Sequence, residues 1–136
     1  MSSLKLGITG SRLFENKTKI KQFLHNLKNQ TSDEVIIVGL GDNQGADKHV
    51  KKYALEFGYI YQELNPPHTA HNLYSIMPES YHGRAYNGKN LFMRNKIYAQ
   101  YVDKGVFFGE NDQTDVKLKS LGDNFKKFQK PLVVIR

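Results

Sequence analysis

Cysteine is absent from this sequence. That excludes disulfide cross-links, thiolate nucleophiles and cysteine-based zinc sites. Also lacking is any apolar run near the roughly 20 residues that span a bilayer, so no membrane partner is expected. The opening residues, Met1-Ser2-Ser3-Leu4-Lys5, lead straight into a strand pattern and carry no signal-peptide hydrophobic region. No internal repeat or low-complexity tract occurs. Together these absences predict a cytoplasmic protein. Acidic residues are outnumbered, 13 Asp+Glu against 20 Lys+Arg, giving a formal net charge of +7.

What is present suits one domain over residues 1–136 with a single buried core: 39% of residues are hydrophobic, including eight Tyr and eight Phe. The positive field attracts phosphate-bearing partners, from a mononucleotide to a nucleic acid, without choosing between them. Most lysines, among them Lys17, Lys19, Lys21, Lys28, Lys117, Lys119, Lys126 and Lys127, fall on predicted helix faces and are expected to form a solvated basic surface.

Strand and helix patterns alternate along the chain. Leu4, Leu6 and Ile8 alternate into Gly10 as a first strand, and Ile20, Phe23, Leu24 and Leu27 share one helical face. Val35-Ile36-Ile37-Val38 reads as a central strand covered on both sides. Val50, Tyr53, Ala54 and Phe57 repeat the helical stripe up to Gly58, and residues 59–64 form a third strand. Residues 65–89 have no period, hold three of the four prolines, and read as a long functional loop with one helical turn near 73–77. Leu91, Arg94, Ile97, Tyr98 and Tyr101 then share a helix face, Val106-Phe107-Phe108 forms a fourth strand, and Leu118 to Phe128 and residues 132–135 supply a last helix and strand. The fold class is therefore α/β: a Rossmann-like, mostly parallel sheet of about five strands flanked by helices. Ligands bind such sheets beyond the carboxyl ends of the strands, near the point where strand order reverses.

Four segments lie at such ends: Gly10 to Arg12, Gly39 to Asp47, the start of the long loop, and Gly109 to Thr114. Gly10-Ser11-Arg12 joins a tight turn to a hydroxyl and a guanidinium suited to phosphate. Gly39, Gly41, Gly45, Ala46 and Asp47 fall in a loop that opens a helix, where free N–H groups meet anions. Its spacing is one residue longer than the dinucleotide fingerprint, so no NAD site and no cofactor is expected. Asp47 either caps that helix or accepts from a ribose hydroxyl. Residues 83–90 are a near miss to a P-loop, with Asn90 in place of the magnesium-holding Ser or Thr. Arg94, on the apolar stripe of its helix beside Asn95, needs an anionic partner, either a structural carboxylate or a ligand phosphate. The fourth segment runs from Gly109 through Glu110 to Thr114 and Asp115. Tyr81, Arg84, Tyr86 and Lys89 give the long loop the aromatic-basic mix of a lid, and its His68, His71 and His82 are not expected to hold a metal.

Gly-Ser-Arg after the first strand, Gly-x-x-x-Gly-Ala-Asp from Gly41 to Asp47, and the Arg94-Asn95 pair together resemble the SLOG superfamily, in particular its small bacterial and phage members of the YspA/DUF2493 type. The resemblance extends more distantly to the Lonely Guy phosphoribohydrolases and to DprA. It implies a Rossmann-like domain that binds a nucleotide or nucleotide-derived ligand as a sensor or sequestering protein, as a homo-oligomer. The implied pocket residues are Gly10, Ser11, Arg12, Gly41, Gly45, Asp47, Arg94 and Asn95. Two alternatives accompany it: an N-glycosidase in which Glu110 or Asp115 is the catalytic carboxylate, and a DprA-like nucleic-acid binder. The fourth segment departs from the pattern, with Gln113-Thr114 where relatives have Gly-Thr and no acid at the usual catalytic position. Binding without efficient turnover is the expectation.

Overall fold

The computed structural model describes residues 3–31, 34–83, 87–110 and 114–136. Its described elements run β1 (Ser3–Gly10), α1 (Lys17–Leu27), β2 (Glu34–Gly39), α2 (Ala46–Glu56), β3 (Ile60–Glu63), α3 (Gly88–Tyr101), β4 (Lys104–Phe108), α4 (Val116–Lys127) and β5 (Leu132–Ile135). The strands form one sheet in the order β3-β2-β1-β4-β5, with every pairing parallel. The expected five-strand α/β architecture is the observed one. No described helix is long and apolar enough to cross a membrane.

Alternation along the strands builds two cores. Leu6, Ile8, Val35, Ile37, Val106 and Phe108 join Ile20 and Leu24 of α1 and Val50 and Ala54 of α2 on one face. Val38, Leu40 and Phe107 meet Tyr98 and Ala99 of α3 and Leu118, Leu121 and Phe125 of α4 on the other. A strand covered on both faces has no solvated side to supply polar residues, which is why Val35 to Val38 read as unbroken apolar sequence. β1 lies at the centre, and successive connections leave it in opposite directions. Chain order thus reverses between β1 and β4, whose carboxyl ends, Gly10 and Phe108, are in register.

The long segment departs from expectation. No helical turn forms at 73–77. Instead the chain folds back along the end of β3: the Glu63 amide donates to Tyr74 O (2.9 Å), the Ile76 amide donates to Glu63 O (2.9 Å), and Glu63 bridges Ser75. Hydrogen-bonded turns close Pro66–Thr69 and Asn72–Ser75, and a 3-10 turn follows at Glu79–Tyr81. Pro66 and Pro67 are buried, and the Asn65 amide group donates to Thr69 Oγ1 and Ala70 O (2.9 Å each). Backbone pairing and apolar anchoring by Met77 set this path in place of the expected helical turn. His82 Nδ1 lies 2.9 Å from Thr69 O, and its ring meets His71 edge-on at 5.1 Å, so these two histidines pack together within the fold.

The centre of the sheet gives a stability test. Tyr98 of α3 lies across Gly7 of β1, its hydroxyl donating to Val38 O at 2.9 Å. A Cβ at Gly7 would stand 2.5 Å from that hydroxyl oxygen and 2.8 Å from the ring. Gly7→Ala should cost about 1–3 kcal/mol through overpacking, and Tyr98→Phe about 1 kcal/mol through the lost hydrogen bond. Because Tyr98→Phe removes the nearest clash, urea unfolding of the double variant should show a loss smaller than the sum. Strict additivity would show that the ring does not dictate glycine at position 7.

Candidate functional site

A cavity of about 570 Å³ opens at the carboxyl ends of the strands, beside the reversal point. Four chain segments and one helix wall it. The turn after β1 contributes Ser11, Arg12 and Leu13, the loop after β2 contributes Gly41, Asp42 and Asn43, and the long segment contributes Pro66, His68 and Thr69. α3 supplies Leu91, Phe92, Arg94 and Asn95, and the amino end of α4 supplies Thr114 to Lys117. The size is within the range of small-ligand sites. The rim is apolar and exposed: Leu13 is 87% accessible, Val116 65% and Phe92 48%. Phe92, Thr114 and Val116 also wall a second hollow of about 540 Å³ between α3 and α4, bordered by Lys119 and Ser120, so the two are contiguous.

The floor is a buried charge network. Lys117 Nζ donates to Asp42 Oδ2 and to Asp47 Oδ2, 2.9 Å each. Asp47 also accepts from the Thr9 hydroxyl and, at 3.3 Å, from the Asp42 amide. Arg94 Nη1 donates to Leu40 O (3.0 Å) and Nε donates to Asn95 Oδ1 (3.2 Å). The Asn95 amide group donates in turn to Ser120 of α4 (3.2 Å). Asp42 Oδ1 stands 4.0 Å from Arg94 Nη1. Burial pushes the Asp47 carboxyl up against the Lys117 charge, and the Asp42 charge adds to that push. Burial would raise Asp42 too, but the Lys117 ammonium and Arg94 guanidinium outweigh it and hold Asp42 below its ordinary value. Desolvation lowers Arg94.

Of the residues expected from sequence, Ser11, Arg12, Gly41, Arg94, Asn95, Thr114 and Asp115 line this cavity. The others stand elsewhere, for identifiable reasons. Gly45 does not line the cavity. With φ at 66° it caps α2 through its backbone, and a Cβ there would overlap the carbonyl groups of Ser11 and Arg12. It is glycine so that α2 can press on the β1 turn. The amide of Ala46 is taken by Ser11 O (3.1 Å), so the amino end of α2 faces protein. A Cβ at Gly10 would stand 2.5 Å from Ala46 Cβ, and one at Gly39 2.6 Å from the Tyr61 hydroxyl. Asp47 neither caps its helix by side chain nor reaches the wall; it is the buried anchor of the network. Arg94 finds its carboxylate in Asp42.

Gly109 is buried behind Ser11. Glu110 lies outside the cavity, exposed and 3.4 Å from Arg136. Asp115 is in the wall, and its Oδ1 accepts from the Leu118 amide as the cap of α4 (3.1 Å). Tyr81 packs against the α3/α4 core, not over the cavity, and Lys89 is exposed in the first turn of α3. The lid residues Arg84 and Tyr86 lie outside the described residues. Among the described residues no group of three or more His, Asp or Glu is placed to hold a metal.

Sequence reasoning missed Asp42, Lys117 and the apolar rim. Lys117, expected on a solvated face, is 13% exposed. The available signal was its position: a lysine in the first turn of a helix opposes the helix dipole and needs a compensating acid. No protein-family model and no curated protein matches the chain. Among solved structures it is similar to DNA processing protein A from Helicobacter pylori, studied for its single-stranded DNA binding mode, with a TM-score of 0.69 and 20% identity. The match covers 96% of this chain but 64% of that one. At that identity the likeness is one of fold.

Lys117→Met tests the network. It leaves Asp42 and Asp47 facing each other in a dry site, at an expected loss of roughly 3 kcal/mol at pH 7. Without Lys117 the native carboxyls bind protons more tightly than in the unfolded chain, so stability is lost as pH rises through their native values and regained below them. The gap in urea midpoint between wild type and variant should therefore narrow in acid. A gap that stays constant from pH 7 to pH 4 would refute this arrangement.

Proposed function

We propose that the cavity binds one nucleotide unit and that this unit belongs to a single strand of nucleic acid. The carrying observation is the cavity itself: an apolar, partly aromatic rim over a polar floor at the sheet's reversal point, continuous with a second hollow across Phe92. A free mononucleotide would fill the first hollow and leave the second empty. A strand uses both, with Phe92 between them as a stacking surface. Arg12, exposed at the mouth, and Lys119, exposed beside the second hollow, are placed for backbone phosphates. The floor is not: Asp42 and Asp47 already answer the charges of Lys117 and Arg94, and an added phosphate would meet the Asp42 carboxylate.

Three further observations support this reading. The formal charge of +7 favours a polyanion. The loop motifs resemble those of the SLOG superfamily, and the fold is similar to that of a protein studied for binding single-stranded DNA. A free nucleotide as ligand is the second reading, favoured by the cavity's fit to one small molecule. A glycosidase would rely on Asp115, the expected carboxylate that reaches the wall.

Fluorescence anisotropy with a labelled, mixed-sequence 12-mer separates these readings. With two phosphates contacted, by Arg12 and Lys119, affinity should fall roughly sevenfold between 50 and 200 mM salt, and Arg12→Gln should reduce the log–log slope by about 0.7. Nucleoside monophosphates should compete only weakly and release no free base. A monophosphate binding as tightly as the 12-mer, with a shallow salt response, would return the site to the small-ligand reading. Rapid release of base, abolished by Asp115→Asn, would make the protein a hydrolase.

A further inference from the structure

We infer that the outer face of α1 and α2 is a second contact surface, one that takes the phosphates of a double-stranded segment adjoining the strand in the cavity. It shares with the reading above the class of partner and places it on a different surface. α1 carries Lys17, Lys19 and Lys21 and no acidic residue, and α2 carries Lys48, Lys51 and Lys52. The ammonium groups of Lys21 and Lys52, one from each helix, both stand over the Tyr53 ring, 5.7 and 5.4 Å from its centroid. Lys17, Lys48 and Lys52 converge on His49. Burial, and then these three charges, hold its ring below its ordinary value against the opposing pull of Glu15. Lys17, Lys21, Lys48 and Lys52 therefore form one exposed cluster drawn from both helices. Lys51 is answered by Glu63 at 3.2 Å, but among the described residues none of those four forms an ion pair. The acids near them are few. Glu15 is 78% exposed beside His49, Glu56 stands in the last turn of α2, and Asp47 is turned into the buried network.

The arrangement suits a duplex better than a single strand. Lys17 and Lys21 lie one turn apart on α1, as do Lys48 and Lys52 on α2, so the cations stand in two rows. Packed helices lie about 10 Å apart. A duplex presents two rows of phosphates on either side of a minor groove about 6 Å wide, at about twice the charge density of one strand. A single strand also bares its bases, which need rings to stack on. The ring beneath these lysines is covered, with Tyr53 only 6% exposed. The surface thus offers charge without stacking, and a duplex keeps its bases turned inward. Its place in the fold joins it to the cavity. Because the strands are parallel, α1 and α2 both begin at the carboxyl ends where the cavity opens. The Ala46 amide donates to Ser11 O at 3.1 Å, setting the first turn of α2 against the turn that bears Arg12. A strand leaving the cavity past Arg12 meets this face.

Three labelled probes test the inference by anisotropy: the single-stranded 12-mer, the same 12-mer joined to a hairpin stem, and the stem alone. The joined probe should bind about tenfold tighter than the 12-mer at low salt, with a log–log salt slope steeper by about 3. Combining Lys17→Gln, Lys21→Gln, Lys48→Gln and Lys52→Gln should remove both gains and leave 12-mer affinity within about twofold. All four side chains are exposed, and dispersing crowded like charges should leave the urea midpoint at or above that of the native protein. No gain from the stem, or an equal gain in the fourfold variant, would overturn the inference. So would a variant that weakens the bare 12-mer as much as the joined probe, which would make the face a single-strand surface. If the 12-mer failed to bind while the stem bound through these lysines, the cavity reading would fall and the duplex surface would stand. If no probe bound, both would fall.

Discussion

Lys117 is the residue on which the site's geometry turns. Its ammonium sits between two carboxylates that burial would otherwise discharge or drive apart. Through Asp47 it reaches the Thr9 hydroxyl on the central strand. Through Asp42 it fixes the loop after β2, and its own backbone is the first turn of α4. Arg94 adds α3 by way of Asp42 and Asn95. One charge network therefore ties both helical layers to the middle of the sheet, at the edge where strand order reverses. Buried ion pairs often contribute little net stability, because desolvation offsets attraction. Their contribution here is positional: the charges fix where four separate chain segments end.

Beside that network, glycine-rich sequence serves close packing. Glycines after a strand and before a helix suggest backbone N–H groups bared to an anion. Here Gly10, Gly45 and Ala46 instead let α2 lie directly on the turn after β1, and Ser11 O accepts the Ala46 amide that a phosphate would have claimed. The same small residues serve close packing or anion binding, and only the neighbouring backbone distinguishes the two. Gly41 is the intermediate case. Its φ of 72° and the nearby Glu63 and Asn65 side chains require glycine, yet it remains in the cavity wall.

Most of the fold was legible because its signals are local and periodic. Ile20, Leu24 and Leu27 bury at the expected spacing, and the apolar run at residues 35–38 is the doubly covered strand it resembled. The segment after β3 was not legible, because its order comes from Glu63 backbone pairing with Tyr74 and Ile76 and from packing of Met77, none of which has a sequence period. The candidate site divides the same way. Ser11, Arg12, Arg94 and Asn95 reach the wall from strand and helix ends that patterning located. Asp42 and Lys117 lie 75 residues apart, and only the crossover from β3 to β4 brings their elements together. Glu110 stands outside the cavity for a simpler reason: nearness to a strand end does not set the direction of a side chain.

The contrast between rim and floor limits what chemistry the cavity favours. Leu13, Val116 and Phe92 leave apolar surface in water at a mouth that a merely structural cleft would have closed or made polar. Beneath them the opposing charges nearly cancel, so the floor offers directed hydrogen bonds and little net attraction for an anion. A site built to hold phosphate would show the reverse, with uncompensated cations inside and polar groups at the rim. The uncompensated charge of this chain lies on its outer surface, in Arg12 and the exposed lysines. Under the proposed reading, long-range attraction for a polyanion and short-range contact with one of its units therefore fall to different residues.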